Sequence, residues 1–295
     1  MKKAIAAIIL VLIISTLTGV AQNKDKPAYQ LYTKSGKSIK YGKMLSDLEE
    51  AEVVLFGEQH NDPIAHWLQL EVTKDLHNKH KQNLALGAEM FEADVQLVLN
   101  EYLTGVIPEN NFEQESRIWT NYKTDYKPLV RFAKDNSLAF VATNVPRRYA
   151  ATVAAGSLDA LEKLNADARK YLAPMPITVD AELPGYKNML AMFGSNTHSN
   201  SKAKNIVQAQ ALKDATMAHF ILGQLSNSKR VLHFNGAYHS DNFEGIGWYL
   251  KQARPELKIK TITTVQQDDI EKLSDEHKDK ADFILVVPAS MTRTY

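Results

Sequence analysis

Two short, mostly apolar runs that end in the same polar grammar organise the chain. Residues 53–56, VVLF, stop at Gly57-Glu58-Gln59-His60, and residues 231–234, VLHF, stop at Asn235-Gly236-Ala237-Tyr238-His239. An apolar run bounded by glycine reads as a strand buried on both faces, and an open α/β sheet gathers its chemistry just beyond the carboxyl ends of such strands. Each run leads into Gly-x-x-His, with Gly57 paired to His60 and Gly236 to His239. One copy is as readily a tight turn with a capping residue. Two copies in the same setting favour a cleft that receives both imidazoles.

The pattern predicts the other elements around these two. Residues 23–41 mix Lys, Tyr, Thr and Ser around Ser35-Gly36-Lys37, a peripheral hairpin, and 44–50 form a helical turn. Asn61-Asp62-Pro63 supplies a side-chain cap and a proline at the first helical position for a helix over 64–79. Residues 84–88 form a second strand that ends at Glu89. A helix over 95–104, a loop over 105–111, an aromatic stretch with Trp119, Tyr122 and Tyr126, and a helix over 127–136 follow. A third strand, 138–143, leads to Asn144, Arg147 and Arg148 and an alanine-rich helix. From 156 to 201 the alternation breaks at Pro174, Pro176 and Pro184, and Tyr186, Met189, Met192 and Phe193 cluster before His198. A long helix over 202–225, a helix over 243–253 and strands over 259–265 and 283–287 complete the chain. Strands alternating with helices predict an α/β fold, a mostly parallel sheet with helices on both faces plus a small helical insertion, or lid, domain. The α/β domain spans 22–155 and 202–295, and the insertion spans 156–201.

Candidate chemistry follows from the strand ends. A carboxylate just past a buried strand must be solvated or paired, so Glu89 joins Glu58, His60 and His239 in the cleft, and Arg147 or Arg148 can face an anionic ligand there. Two carboxylates and two histidines suit either a divalent metal that activates water or a metal-free general acid and base. Phosphate-loop, dinucleotide-binding, nucleophile-elbow and His-Glu-x-x-His patterns are absent.

Composition then removes classes. The 295 residues are 44% hydrophobic and 23% charged, ordinary for a globular chain, and the net charge of +1 gives no electrostatic reason to seek nucleic acid. With no cysteine, disulfides, thiolate metal sites and iron–sulfur clusters are excluded, leaving nitrogen and oxygen as metal ligands. Lys2 and Lys3, an apolar run over 4–14 and small residues at Gly19 and Ala21 read as a secretory signal over 1–21, which predicts a periplasmic or cell-surface protein. Leu17-Thr18-Gly19 is similar to the start of a bacterial lipoprotein signal, but Val20 stands where that signal needs cysteine.

The ordered blocks GEQH, LGAEMFE, ATNVPRRY, QAQALKDATMAHFI, NGAYH and GIGWYL resemble the ChaN-like family of bacterial haem-binding, iron-regulated proteins, related to the group of Tiki proteases and erythromycin esterases. The resemblance covers roughly residues 52–250, and Gly57, Glu58, His60, Glu89, Arg147, Asp214 and His239 fall on its motif positions. It implies an α/β domain with a smaller helical domain, and an exported haem-binding protein in bacterial haem and iron acquisition. It also implies tyrosine as the iron ligand, a homodimer in some members and an outer-membrane haem receptor as a partner. Within the helical segment Tyr186 is the candidate ligand and His198 a candidate partner for a propionate, with Arg147 the third candidate haem contact. The related protease group implies the alternative, a metal-dependent hydrolase using Glu58, His60, Glu89 and His239.

Overall fold

The computed structural model describes residues 25–192, 201–227 and 229–295. In chain order the strands are β1 (Gln30–Thr33), β2 (Ser38–Ile39), β3 (Val53–Glu58), β4 (Leu84–Glu92), β5 (Ala139–Asn144), β6 (Arg230–Gly236), β7 (Ile259–Gln267) and β8 (Phe283–Pro288). The helices are α1 (Tyr41–Glu49), α2 (Pro63–His80), α3 (Gln96–Leu103), α4 (Glu109–Glu115), α5 (Lys127–Asp135), α6 (Arg147–Gly156), α7 (Ala166–Arg169), α8 (Pro184–Ala191), α9 (Ser201–Ser226) and α10 (Ile246–Ala253). One eight-stranded sheet runs in the order β2-β1-β8-β7-β3-β6-β4-β5. The five strands from β7 through β5, together with β8, pair in parallel, whereas β1 joins β8 and β2 antiparallel as the predicted edge hairpin.

The register explains why the two glycine-histidine turns meet. β3 and β6 are neighbours, with Glu58 opposite Gly236, and β4 lies on the other side of β6 with Ala88 opposite Phe234. Every residue of β3 is buried, and alternate side chains serve opposite faces of the sheet. Val54 and Phe56 pack in the core beneath α2 and α5, while Val53 and Leu55 pack against Met217, Ala218 and Ile221 of α9 and Ile246 and Leu250 of α10. Layers on both faces leave the carboxyl ends of the strands open for a site. Asp62 caps α2 by accepting from the backbone of Ile64 and Ala65 at 3.0 Å, as the Asn-Asp-Pro sequence predicts.

Three boundaries differ from the sequence pattern for identifiable reasons. β4 continues through Glu89 to Glu92, because an irregularity between Ala88 and Glu92 lets its pairing with β5 resume at Asn144. The segment expected to remain a loop to residue 111 turns helical at Glu109, where Phe112 buries itself against the sheet. α10 begins at Ile246 instead of residue 243, since Asn242 and Phe243 are left-handed and Gly245 has φ of +51°. A Cβ at Gly245 would stand 2.3 Å from the carbonyl oxygen of His239, so only glycine closes this turn. The segment from Leu158 to Ala191 is built of short helical pieces that pack on α6 and α9.

Candidate functional site

At the carboxyl end of β3, Glu58 is 1% exposed and accepts three hydrogen bonds: from His60 Nδ1 at 2.8 Å, Tyr126 OH at 2.6 Å and Gln69 Nε2 at 2.6 Å. His66 stands 3.6 Å from the same carboxylate, between Gln69 Oε1 and the carbonyl of His60. Asn121 donates to the His60 carbonyl at 2.8 Å and to Asp125 at 2.7 Å, which fixes the loop that carries the imidazole. Burial pushes the Glu58 carboxyl up, but the His60 hydrogen bond and the His66 and His60 charges outweigh it, so the carboxyl lies below its ordinary value. Burial likewise opposes charge on His60, yet the Glu58 hydrogen bond and the Glu89 and Glu58 charges raise its pKa overall.

A second chain of polar groups hangs from β6 and β4. The backbone N–H of Gly236 donates to Glu89 Oε2 at 2.7 Å, and His239 Nε2 lies 3.1 Å from Glu89 Oε1. On its other edge His239 donates from Nδ1 to Asp214 of α9, whose second oxygen accepts from Tyr186 OH at 2.8 Å. Desolvation works against a charged His239, but the two flanking carboxylates push its pKa up to about 10. Glu89 is held below the carboxylate range, its burial overcome first by the His239 charge and hydrogen bond, whereas burial raises Asp214. The two chains meet at Gly236, where an added Cβ would lie 2.8 Å from His60 Nε2 and 3.5 Å from Glu89 Oε2. The Gly-x-x-His glycine is therefore what lets His60 close over the neighbouring strand.

The sign of the linkage at His239 gives a measurable consequence. A histidine whose folded pKa is raised stabilises the fold fully below the unfolded value of about 6.5, and that stabilisation is lost as pH rises through the folded value. Unfolding free energy measured in urea is expected to fall between pH 6.5 and 10 by up to about 1.4 kcal/mol per pH unit. A flat profile across this interval would show that His239 is not an imidazolium.

The sequence-predicted quartet Glu58, His60, Glu89 and His239 thus converges, with the carboxylates paired to the imidazoles. Among the described residues no three His, Asp or Glu side chains form a group that could hold a metal ion. In this arrangement His60 shares its proton with Glu58, and the His239 proton is held between Glu89 and Asp214. His233, in the apolar run itself, is a structural residue: its ring faces Thr143 at 2.8 Å and Asn235 at 3.1 Å, and burial keeps it neutral with a pKa near 4. Sequence reasoning missed the roles of His66, Gln69 and Tyr126, which orient Glu58, and of Asp125, which stands 3.4 Å from His66. Tyr186 is 3% exposed and spent on Asp214, so an iron-ligand role for it requires that hydrogen bond to break. His198 lies outside the described residues, as does the predicted signal segment.

Beyond His60 and Glu89 the strand ends open into a cleft of about 690 Å³. Trp119, Ile118 and Val145 give it flat and apolar wall, Asn144 and Arg147 stand on its β5 side, and Tyr295 closes part of its rim. Trp119 meets the His60 ring edge-on at 4.9 Å. Arg147 pairs with Glu92, which also receives Arg117. Lys213 of α9 also lines the cleft, half-buried and with no hydrogen bond or ion pair among the described residues.

Comparison with known proteins places the fold. A solved structure of ChaN of Campylobacter jejuni, described by its cofacial haem binding, superposes with a TM-score of 0.67 at 19% identity, covering 90% of this chain and 98% of that one. An erythromycin esterase in its open conformation aligns with a TM-score of 0.45 at 15% identity, covering 80% of this chain and 77% of that one. The RETICULATA-RELATED 5 chloroplast protein of Arabidopsis thaliana is 24% identical over 195 residues, 59% of this chain, which spans only 25% of that protein's length. No helix among the described residues is long and apolar enough to cross a membrane. The family described as haem-binding uptake, Tiki superfamily, ChaN, matches residues 44–250, which include both Gly-x-x-His turns, Glu89, Arg147 and Asp214, and the chain belongs to that family.

Proposed function

We propose that this is an exported haem-binding protein of bacterial haem and iron acquisition, and that the cleft beside His60 receives the haem. The observation that carries the reading, beyond family membership, is Lys213: a half-buried cation without a partner among the described residues, set in a cleft that also carries Arg147 and the flat face of Trp119. A half-buried lone cation is only partly hydrated and so favours a ligand anion beside it, and haem presents two carboxylates on an apolar plate. His60 and Tyr295 put an imidazole and a phenol on the cleft wall, both chemically suited to ferric iron, which would supply the coordination bond. Tyr186 stands behind Asp214, and Met192, 76% exposed, marks the end of α8 in the predicted lid. Export rests on the sequence of residues 1–21, and delivery to an outer-membrane receptor and pairing into a homodimer extend the same proposal.

Ferric haem titrated into the mature protein is expected to give a saturable, shifted Soret band. Lys213→Ala is expected to weaken binding about tenfold, or 1.4 kcal/mol, because it removes the cation that a propionate would join, and Arg147→Ala less, because Glu92 already holds that guanidinium. Loss of the bound spectrum in Tyr295→Phe, His60→Ala or Tyr186→Phe identifies the ligating side chain. A merely linear response to added haem would sink the reading. The metal-dependent hydrolase reading of Glu58, His60, Glu89 and His239 draws no comparable support, since these side chains are spent on one another.

A further inference from the structure

α9 has a second face. Lys213 and Asp214 look toward the cleft and the glycine-histidine turns, but Ala215, Ala218, His219 and Leu222 line a separate cavity of about 300 Å³ between α9, α10 and the segment from Ala173 to Thr178. The two spaces share no lining residue. Ala215 and Ala218 are short enough to leave a recess, and the prolines at 174 and 176, with fixed φ and no N–H to donate, keep the facing wall out of a helix.

We propose that this cavity is a second ligand site, one that takes a small, uncharged, planar aromatic molecule bearing a single hydrogen-bonding group. The lining holds no Asp, Glu, Lys or Arg, so nothing there compensates a ligand charge. Its aromatic wall is Trp248 against Tyr249, with ring centroids 4.8 Å apart and planes nearly perpendicular, a surface for edge or face contact with another ring. Its polar handle is His219, which forms no hydrogen bond among the described residues. Burial lowers the pKa of that imidazole, leaving a neutral ring with one donor and one acceptor for a ligand N–H or O–H. The volume stands at the lower end of the ~300–1,000 Å³ span of ligand pockets, which suits a one- or two-ring compound and excludes a porphyrin.

The site adjoins the polar chain of His239 through Tyr249 and Tyr186. Tyr249 donates to the Thr178 carbonyl at 2.7 Å and packs with Tyr186, whose hydroxyl holds Asp214. A ligand lying on Tyr249 is thus separated from the His239 chain by a single aromatic ring.

Indole and benzoate titrated calorimetrically into the full chain test this. Indole is expected to saturate one site with an affinity on the order of 1 mM, and benzoate to bind at least tenfold more weakly. His219→Phe keeps the ring and removes its nitrogens, and Gln252→Trp at the exposed rim obstructs entry; each is expected to weaken indole about tenfold, one unmet hydrogen bond or one blocked mouth. No saturation by indole, equal affinity for benzoate, or unchanged indole binding in both variants would overturn the proposal. Because neither variant touches the His60 cleft, the haem titration reads out independently.

Discussion

Replacing His239 by alanine is expected to cost the fold about 3–5 kcal/mol, read as a loss of unfolding free energy in urea at pH 7. The magnitude follows from what the imidazolium leaves behind. Glu89 and Asp214 are 5% and 1% exposed, and each faces the same ring, one at Nε2 and the other at Nδ1. Removing the cation strands two buried carboxylates that then repel each other, left among the described residues with the Gly236 N–H, the Tyr186 hydroxyl and the more distant His60 charge. Breaking a buried pair from one side costs far more than the pair contributes, because the survivor keeps its desolvation penalty. The loss should shrink when Asp214→Asn is added, since one stranded charge disappears. The decline in stability between pH 6.5 and 10 should vanish in His239→Ala. A loss below about 1 kcal/mol would mean that His239 sits neutral between its partners.

How much of this was legible beforehand depends on where the chemistry is anchored. His60, Glu58 and His239 announce themselves because β3 is an apolar run and β6 one broken only by His233, each cut by glycine, and an apolar run is the strongest local signal of a buried strand. Their convergence is not local, since it needs β3 and β6 to be neighbours in register, which no single segment encodes. Asp214 carried a faint signal: it falls on the stripe Val207, Ala211, Ala215 and Ala218 of α9, where a carboxylate three or four residues from buried alanines must have a partner. Gln69 is its counterpart on α2, among Ala65, Leu68, Val72 and Leu76. Tyr126 and Asp125 could not be read in this way, because they lie on an irregular π turn, Tyr122–Tyr126, which has no apolar period. Tyr186 looked like a ligand among methionines; its burial against Val207 and Ala211 emerges only once α8 is laid on α9. The sheet was legible to within a few residues, and the polar second layer mostly was not.

That division shapes what the cleft can do. The groups that face the open space, His60, Trp119, Arg147 and Lys213, are backed by charges already neutralised among themselves. Lys213 is the exception, so among the described residues an incoming anion meets one unanswered charge on this wall instead of a field. Substituting it should alter ligand affinity without a large stability cost, the reverse of His239.

Glu58→Ala is the other substitution with a large expected effect, about 3–5 kcal/mol of stability, or a melting temperature lower by roughly 10 °C. Tyr126 is 2% exposed and Gln69 0%, and both donate to this carboxylate; without it a phenol and an amide are buried with no acceptor, at about 1–3 kcal/mol apiece. His60 loses the hydrogen bond that orients its ring over Gly236 and raises its pKa, so its titration, followed by proton NMR, should move downward toward the ordinary value near 6.5. Glu58→Gln retains an acceptor oxygen for one of the two donors and should recover part of the stability, but it removes the charge that favours a protonated His60. Stability and the His60 pKa therefore separate: the glutamine variant regains the first and not the second. If both variants lose equal stability, the carboxylate's negative charge, and not its hydrogen bonds, is what β3 is built to hold at its end.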